Sequence, residues 1–256
     1  MKDVVHRGTG VSPVQHSPGD ACQRRTGKMP VLPGETARVK YVLWDWNGTL
    51  LDDTQAAVDA LNVMLSRRGL KPIDVSFYRD HFAFPVRPFY EAIGVRLERE
   101  DWDALAREYH ATYAAQPKGL NPEALAALKA AKAAGVGQSI ISALRQDLLE
   151  RATSDLGVSP FMDFIYGTDN LDGASKLDRA HELLDRVLAT VAPGDRSPSD
   201  VVLIGDALHD KEVADQLGVR CVLCGQGSHA ARRLAEVAPT GETLMDAVRL
   251  ALSGAD

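Results

Sequence analysis

The chain has 256 residues, of which 45% are hydrophobic and 25% charged, and its formal net charge is −6 at pH 7. This length and composition predict a soluble globular protein of one or two domains. The acidic balance excludes a broad basic surface for nucleic acid or anionic lipid, and no apolar run reaches the roughly 18–20 residues of a membrane span. Residues 1–10 lack the apolar centre of a secretory signal, and three cysteines in so long a chain favour the reducing cytoplasm.

The N-terminal segment, residues 1–38, is rich in Gly, Pro, Ser and charged residues and shows no apolar periodicity. This composition predicts a flexible tail. The character changes at Tyr41, where the apolar run Val42-Leu43-Trp44 ends at Asp45, a pattern typical of a buried parallel strand. Similar short runs occur at 138–142, 164–166, 201–205 and 220–224.

Helical patterns separate these predicted strands. They cover residues 122–134, 147–156, 176–188 and 211–217, and three of them stop at a glycine, at Gly135, Gly157 and Gly218. Short strands that alternate with helices of this length predict an α/β fold, a Rossmann-like doubly wound parallel sheet.

One interval breaks the alternation. Between Asp53 and about Gly119 the sequence has no convincing core strand but at least three helical patterns, at 54–68, 88–93 and 102–115. A helical insertion after the first strand would stand over the carboxyl edge of the sheet, where such folds place their sites. We therefore predict an inserted helical cap at 54–118, above a core of residues 39–53 and 119–256. The acidic pair Asp52-Asp53 is expected to cap the first cap helix.

Two of the candidate functional elements follow predicted strands. Asp45 is followed by Gly48-Thr49, a turn whose backbone N–H groups can face an anion, and a carboxylate at this point can hold a divalent cation and attack phosphorus. Ser142 ends a later strand, where its hydroxyl and the N–H of Ala143 can bind a phosphoryl oxygen. Either element alone also suits a simple helix cap.

The other two elements carry charge. Lys176 stands at the start of a predicted helix, where its ammonium can offset the charge of a nucleophile and a phosphate. Asp206 follows the strand at 201–205, and Asp210 comes one helical turn later. Together with Asp45, these two carboxylates form the oxygen-only donor set that Mg²⁺ prefers.

In this order and spacing, the four elements resemble those of the haloacid dehalogenase superfamily, and most closely its phosphoglycolate-phosphatase-like branch with a helical cap. The resemblance covers residues 41 to about 252. It implies a phosphatase that uses Mg²⁺ and an aspartyl-phosphate to hydrolyse a small phosphorylated metabolite, such as phosphoglycolate or a sugar phosphate.

The resemblance also implies roles for individual residues. Asp45 would be the nucleophile, with Ser142 and Lys176 as phosphate binders. The metal ligands would be Asp45, Asp206 and the carbonyl of Asn47, and Asp210 would be a ligand or a partner of the ligands. Gly48 and Ala143 are expected to contribute to phosphate binding through the backbone.

Asn47 departs from the superfamily pattern, in which a second aspartate two residues after the nucleophile acts as general acid and base. An amide cannot donate a proton to a leaving alkoxide as a carboxylic acid does, and such help is typically worth about 10²–10⁴-fold in rate. Three accounts stay open. The substrate has a good leaving group, such as an acyl phosphate, or another group, such as His209, His81 or a cap residue, supplies the proton. In the third account the site binds phosphates and turns them over poorly.

The last account keeps one rival function open, a phosphometabolite-binding or regulatory protein. A phosphotransferase or mutase is a further alternative. The cap segment at 82–90 offers Arg87, whose guanidinium suits bidentate contact with a substrate carboxylate. An arginine on the cap surface with no such role fits the sequence equally well. Nothing in the cap sequence names the substrate, and the oligomeric state does not follow from the sequence.

Overall fold

The computed structural model describes residues 39–168, 176–190 and 197–254. The predicted flexible tail at 1–38 lies outside these ranges. No helix among the described residues has the length and apolar character needed to cross a membrane. The strands are β1 (Tyr41–Trp44), β2 (Leu51–Asp52), β3 (Gly119–Leu120), β4 (Gly137–Arg145), β5 (Phe164–Thr168), β6 (Val201–Gly205), β7 (Arg220–Cys224) and β8 (Thr240–Gly241).

Ten α-helices lie among the described residues, together with three short 3-10 turns. The first four, between β2 and β3, are α1 (Thr54–Arg67), α2 (Val75–His81), α3 (Arg87–Ala92) and α4 (Trp102–Ala114). The others are α5 (Ala124–Ala133), α6 (Gln146–Asp155), α7 (Lys176–Thr190), α8 (Leu208–Leu217), α9 (Ala231–Leu234) and α10 (Leu244–Ser253).

Six strands form one parallel sheet in the order β5–β4–β1–β6–β7–β8. The central strand β1 pairs with β4 on one side and β6 on the other. Its four residues are all buried, which explains their continuous apolar character, since helices cover both faces of such a sheet. The predicted Rossmann-like parallel fold is confirmed.

Side chains alternate between the two faces of β1. Val42 and Trp44 join an apolar cluster with α5 and α10, whereas Tyr41 and Leu43 join a second cluster with α7 and α8. The two clusters hold the sheet between helical layers. The edge at which the strands end is therefore positioned by packing on both faces.

The helices α1–α4 have an apolar cluster of their own. It contains Leu61, Leu65, Tyr78, Phe89 and Leu105, all at most 4% exposed. The short antiparallel pair β2–β3 joins the two ends of this insertion, with Leu51 opposite Leu120. We call residues 54–118 the cap. The helical insertion is confirmed, while its division into a separate domain with these boundaries stays a prediction.

Several elements were not predicted from the sequence. Helix α2 was not expected in the cap, and neither β8 nor α10 was expected after β7. The expectation that Asp53 caps the first cap helix is wrong. Asp53 occupies the N-cap position of α1, but its side chain makes no capping hydrogen bond and points to other partners.

Candidate active site

The site lies at the carboxyl edge of three adjacent strands. Asp45 follows β1 directly, Asp206 follows β6, and Ser142 lies within β4. The backbone N–H of Asp45 donates to the carbonyl of Ile204 at 2.9 Å, which continues the pairing of β1 with β6 beyond the last strand residue. Parallel pairing therefore brings residues far apart in the chain to one edge.

Lys176 connects two of the carboxylates. Its Nζ lies 2.6 Å from Oδ1 of Asp45 and 2.7 Å from Oδ1 of Asp210. All three side chains are buried, with 4%, 8% and 3% of their surface exposed. A lysine so placed is not a solvated surface residue; it is the cation of a buried ion triad.

Asp210 also organises the loop after β6. Its Oδ2 accepts hydrogen bonds from the backbone N–H groups of Asp206, at 3.1 Å, and Ala207, at 3.0 Å. Both carboxylate oxygens of Asp210 thus have protein partners. This arrangement suits a residue that positions Lys176 and the Asp206 loop, the second of the two roles expected for it.

Asp206 is held from two other directions. The hydroxyl of Thr49 donates to its Oδ1 at 3.1 Å, and the backbone N–H of Ser228 donates to its Oδ2 at 2.5 Å. Neither contact was expected from the sequence. Thr49 belongs to the nucleophile turn and was noted there only for its backbone, and Ser228 is distant in sequence.

Gly48 fits closely against Asp206. It has a left-handed φ of 77°, and a Cβ at this position would lie 2.3 Å from Oδ2 of Asp206. Only glycine satisfies both the backbone conformation and the close approach. Its N–H donates to Oδ1 of Asp53 at 2.7 Å, so the structure directs this N–H to a protein carboxylate and not to the expected phosphate.

Asp53 accepts hydrogen bonds from the polar groups around Asn47. The amide Nδ2 of Asn47 donates to Oδ2 of Asp53 at 2.7 Å and lies 3.0 Å from the hydroxyl of Tyr113, which itself donates to the same carboxylate oxygen. Asp53 is 6% exposed. The amide of Asn47 is therefore a suitable partner for the Asp53 carboxylate. A carboxylate at position 47 would instead repel it.

The surroundings shift the pKa values of the three carboxylates in different directions. Burial raises the pKa of Asp45 well above its usual range; Lys176 opposes the rise, and Asp210 and Asp206 add to it. Burial, followed by the charge of Asp210, raises the pKa of Asp206 to about 7. Burial raises the pKa of Asp210 too, but Lys176 and the backbone N–H of Ala207 together outweigh it, so this pKa lies below the ordinary value.

The comparison with known protein families agrees with this geometry. A family model described as haloacid dehalogenase-like hydrolase matches residues 42–224, more than half of the chain. The chain belongs to this hydrolase family. The expected membership is confirmed, and the matched range includes Asp45, Ser142, Lys176, Asp206 and Asp210.

Curated relatives and solved structures resemble the hydrolase over most of its length. A phosphoglycolate phosphatase of Caulobacter vibrioides is 28% identical over 193 residues, which cover 73% of this chain and 79% of that protein. A protein named tyrosine-protein kinase PtkA, from Mycobacterium tuberculosis, is 26% identical over 200 residues, 76% of this chain and 64% of its own. A haloacid dehalogenase-like protein of Streptococcus pneumoniae shares the fold, with a TM-score of 0.62 at 17% identity over 82% of this chain and 97% of that one.

The donor set of the hydrolase fits a divalent cation. Oxygen atoms of Asp45, Asp206 and Asp210 lie within 4.8 Å of one another, and all three residues are buried. Lys176 supplies one positive charge against three carboxylates in this cluster. The upward pKa shifts of Asp45 and Asp206 have the same cause, since buried carboxylates without enough compensating charge retain protons. A hard dication would relieve that deficit.

The remaining predicted residues differ in position. Ser142 and Ala143 line the cavity next to Asp45, and the hydroxyl of Ser142 accepts the N–H of Leu144 at 3.0 Å. Arg87 is not among the described residues that line this cavity: its guanidinium lies 4.2 Å from the ring centroid of Trp102. The structure therefore does not bring Arg87 to the site.

Helix α2 of the cap is bound to the core by contacts that the sequence did not reveal. The carbonyl of Phe82 accepts hydrogen bonds from Nε2 of His229, at 2.7 Å, and from Arg233, at 3.1 Å. The guanidinium of Arg79 donates to the carbonyl of Gly227 at 2.9 Å. These residues adjoin Ser228, so the contact that holds Asp206 and the contacts that hold the cap share one loop.

Proposed function

We propose that the hydrolase is a Mg²⁺-dependent phosphatase that cleaves a small phosphorylated metabolite through an aspartyl-phosphate at Asp45. The observation that carries this proposal is the buried cluster of Asp45, Lys176, Asp206 and Asp210 at the carboxyl edge of the sheet. The family of the chain and its relative named phosphoglycolate phosphatase support hydrolysis of a phosphate ester.

Asp45 is oriented for attack by its ion pair. Lys176 holds Oδ1 at 2.6 Å, and no hydrogen bond from the described residues reaches Oδ2. In the first step Oδ2 forms a bond to phosphorus while the bond from phosphorus to the leaving oxygen breaks. In the second step a water oxygen attacks the phosphorus and the bond from Oδ2 to phosphorus breaks. Inorganic phosphate departs, and Asp45 is again a free carboxylate.

The other groups bind and balance charge. Ser142 and the backbone at Ala143 are the proposed ligands of the phosphoryl oxygens, with Lys176 beside them. Asp45, Asp206 and the carbonyl of Asn47 are the proposed holders of Mg²⁺. When bound, Mg²⁺ would neutralise negative charge on the phosphoryl oxygens as the transition state forms.

The proton for the leaving oxygen has no assigned source. Asn47 cannot supply it, and its amide is engaged by Asp53 and Tyr113. Of the histidines considered, His209 lines the cavity, whereas Nδ1 of His81 contacts the carbonyl of Phe77 at 2.9 Å, within its own helix. A substrate with a good leaving group and a site that turns phosphates over poorly stay the other two accounts. The cytoplasmic location also stays a prediction.

Phosphate release tests the proposal. The wild-type hydrolase is expected to release phosphate from p-nitrophenyl phosphate with Mg²⁺ and to lose this activity in EDTA. Asp45→Asn should abolish turnover while the circular dichroism spectrum is unchanged. Asp155→Asn, an exposed carboxylate on α6, is the matched control and should retain full activity.

Each rival function predicts a different result. A protein that only binds phosphometabolites would release no phosphate above the Asp45→Asn background. A phosphotransferase would release little inorganic phosphate and pass a labelled phosphoryl group to an added alcohol acceptor. Equal activity in wild type and Asp45→Asn would refute the aspartyl-phosphate mechanism.

A further inference from the structure

A cavity that is partly open to solvent extends from the carboxylate cluster into the cap. Its volume is about 410 Å³, within the usual range for small-molecule sites. The floor is polar and includes Asp45, Ser142 and Lys176. A phosphoryl group bound at Asp45 would therefore direct the organic part of its substrate into the space between the cap helices.

The cap wall of this cavity is rich in aromatic side chains. It contains eight aromatic side chains of Phe, Tyr and Trp, with aliphatic residues between them, and no Lys, Arg, Asp or Glu among the described residues. Apart from tyrosines, the one ionisable residue described in this wall is His110, which is exposed on α4. The aromatic members are Tyr78, Phe82, Phe84, Phe89, Tyr90, Trp102, Tyr109 and Tyr113.

The cationic side chains of the cap that lie nearby are engaged elsewhere. Arg87 covers the ring of Trp102, and Arg79 donates to the carbonyl of Gly227. Arg68 binds Glu100 and Glu108, both at 2.8 Å. None of these three arginines is among the described residues that line the cavity. The stretch before Lys176, residues 169–175, contains no Lys, Arg or His in its sequence.

The tyrosines of the wall are neutral. Burial raises the pKa of Tyr78 and of Tyr109 well above the ordinary value, and nearby ionisable groups raise both further. Their hydroxyls therefore provide hydrogen-bonding groups without charge. The wall favours apolar and aromatic surface, because burial of such surface is favourable and ring contacts add to it.

We propose that the substrate is a phosphate monoester whose organic part is uncharged and aromatic or branched-apolar. This inference rests on the proposed phosphatase function and assigns its substrate class. A second anionic group on the substrate, such as the carboxylate of phosphoglycolate, would be buried against the aromatic wall without a cation. Burial of an unpaired carboxylate is costly, so such substrates are disfavoured.

Matched substrates test the proposal. Benzyl phosphate and 4-carboxybenzyl phosphate have leaving groups of the same kind and differ by one carboxylate. At pH 8, where histidine is ordinarily neutral, kcat/KM for benzyl phosphate should exceed that for the carboxylate analogue by about 10- to 100-fold. Ethyl phosphate should likewise be preferred to 2-phosphoglycolate. Equal or reversed preference in both pairs overturns the inference.

Binding of phosphonates separates this inference from the proposed function. Benzylphosphonate and 4-carboxybenzylphosphonate cannot be hydrolysed, so calorimetry with Mg²⁺ measures the cavity even when no ester is turned over. Tighter binding of benzylphosphonate supports the substrate class, and equal or weaker binding overturns it. Absence of phosphate release from every ester would instead count against the phosphatase function alone.

A designed cation in the wall adds an independent arm. Ala106 lines the cavity on α4 and is half-buried, whereas Ala104 is exposed on the same helix and is not a lining residue. Ala106→Lys should improve the carboxylate analogue relative to benzyl phosphate by about tenfold, and Ala104→Lys should leave the ratio unchanged. Should Ala106→Lys fail to fold, Phe84→Lys, at a residue 50% exposed, serves the same purpose. An unchanged ratio in a folded variant contradicts the proposal.

Discussion

The floor and the wall of the cavity are built on opposite principles. The floor, on the core, gathers three buried carboxylates and a lysine whose partners lie within 2.7 Å. The wall, on the cap, presents aromatic rings and keeps the charged residues of the cap away from the cavity. In the proposed function, the core determines the reaction and the cap determines which organic group accompanies the phosphate.

The strongest way to break this contrast is to remove the cation of the floor. Lys176→Met leaves Asp45 and Asp210 buried without their shared partner, so the free energy of unfolding should fall by about 3–5 kcal/mol in the absence of Mg²⁺. Phosphate release should fall as well. Chemical denaturation with and without Mg²⁺ measures the first effect.

Lys211→Met is the matched control for that change. Lys211 forms a more exposed pair with Asp215 on α8, at 2.5 Å, and its loss should cost at most about 1 kcal/mol. A comparable loss of stability in both variants would show that the buried triad stabilises the fold no more than an exposed ion pair does.

The second change fills the space beside Asp206. Gly48→Ala introduces a Cβ 2.3 Å from the carboxylate and imposes a left-handed φ on alanine. Gly69→Ala imposes a similar φ, 66°, where no atom lies within 4 Å of the new Cβ. Backbone strain alone costs about 1–2 kcal/mol. Gly48→Ala should therefore lose more stability than Gly69→Ala and should also lose activity, as thermal melts and phosphate release will show.

The third change concerns Asn47 and its carboxylate partner. Asn47→Asp would place two carboxylates 2.7 Å apart and should lower the free energy of unfolding by about 1–3 kcal/mol. The double variant Asn47→Asp, Asp53→Asn restores one donor and one acceptor, so it should recover part of that loss. Melting temperatures of the wild type, the two single variants and the double variant give the coupling. Additive effects would contradict the proposed match.

The smallest expected effect lies on the outer side of the cap. Hydrogen bonds from Arg68 lower the pKa of Glu100 and of Glu108. A lowered carboxyl pKa stabilises the fold above the unfolded value, near 4.3, and this contribution is lost as pH falls through the folded pKa. Arg68→Gln should cost about 1 kcal/mol at pH 7 and less below pH 4, with kcat/KM unchanged. A change in substrate preference would show that these ion pairs help to determine which substrate the cavity accepts.

The floor was largely predictable from the sequence, because its residues follow strands. Asp45 and Asp206 each come directly after a run of buried apolar residues, and parallel strands deliver such residues to one edge. Lys176 begins α7, and Asp210 lies in the first turn of α8. The fold class followed from the same alternation of short apolar runs and helices.

The wall was not predictable in the same way. Its composition depends on how α2, α3 and α4 pack, and α2 was missed because its seven residues, 75–81, show little apolar periodicity. The contact of Asp53 with Asn47 and Tyr113 also depends on the position of α4, whose last turn returns beside the nucleophile turn. Arg87 illustrates the limit most clearly, because the sequence identifies a guanidinium but not the ring of Trp102 that it covers.

The separate apolar cluster of the cap has a consequence for how this hydrolase can change over evolutionary time. Leu61, Tyr78, Phe89 and Leu105 support one another and belong to neither of the clusters that hold the sheet. A mutation in the lining can therefore be compensated by a neighbour within the cap, provided that the contacts of Tyr113 with Asp53 and of Phe82 with His229 are kept. If the proposed function holds, such changes would alter the organic group that the cavity accepts while the carboxylate cluster on the sheet is kept.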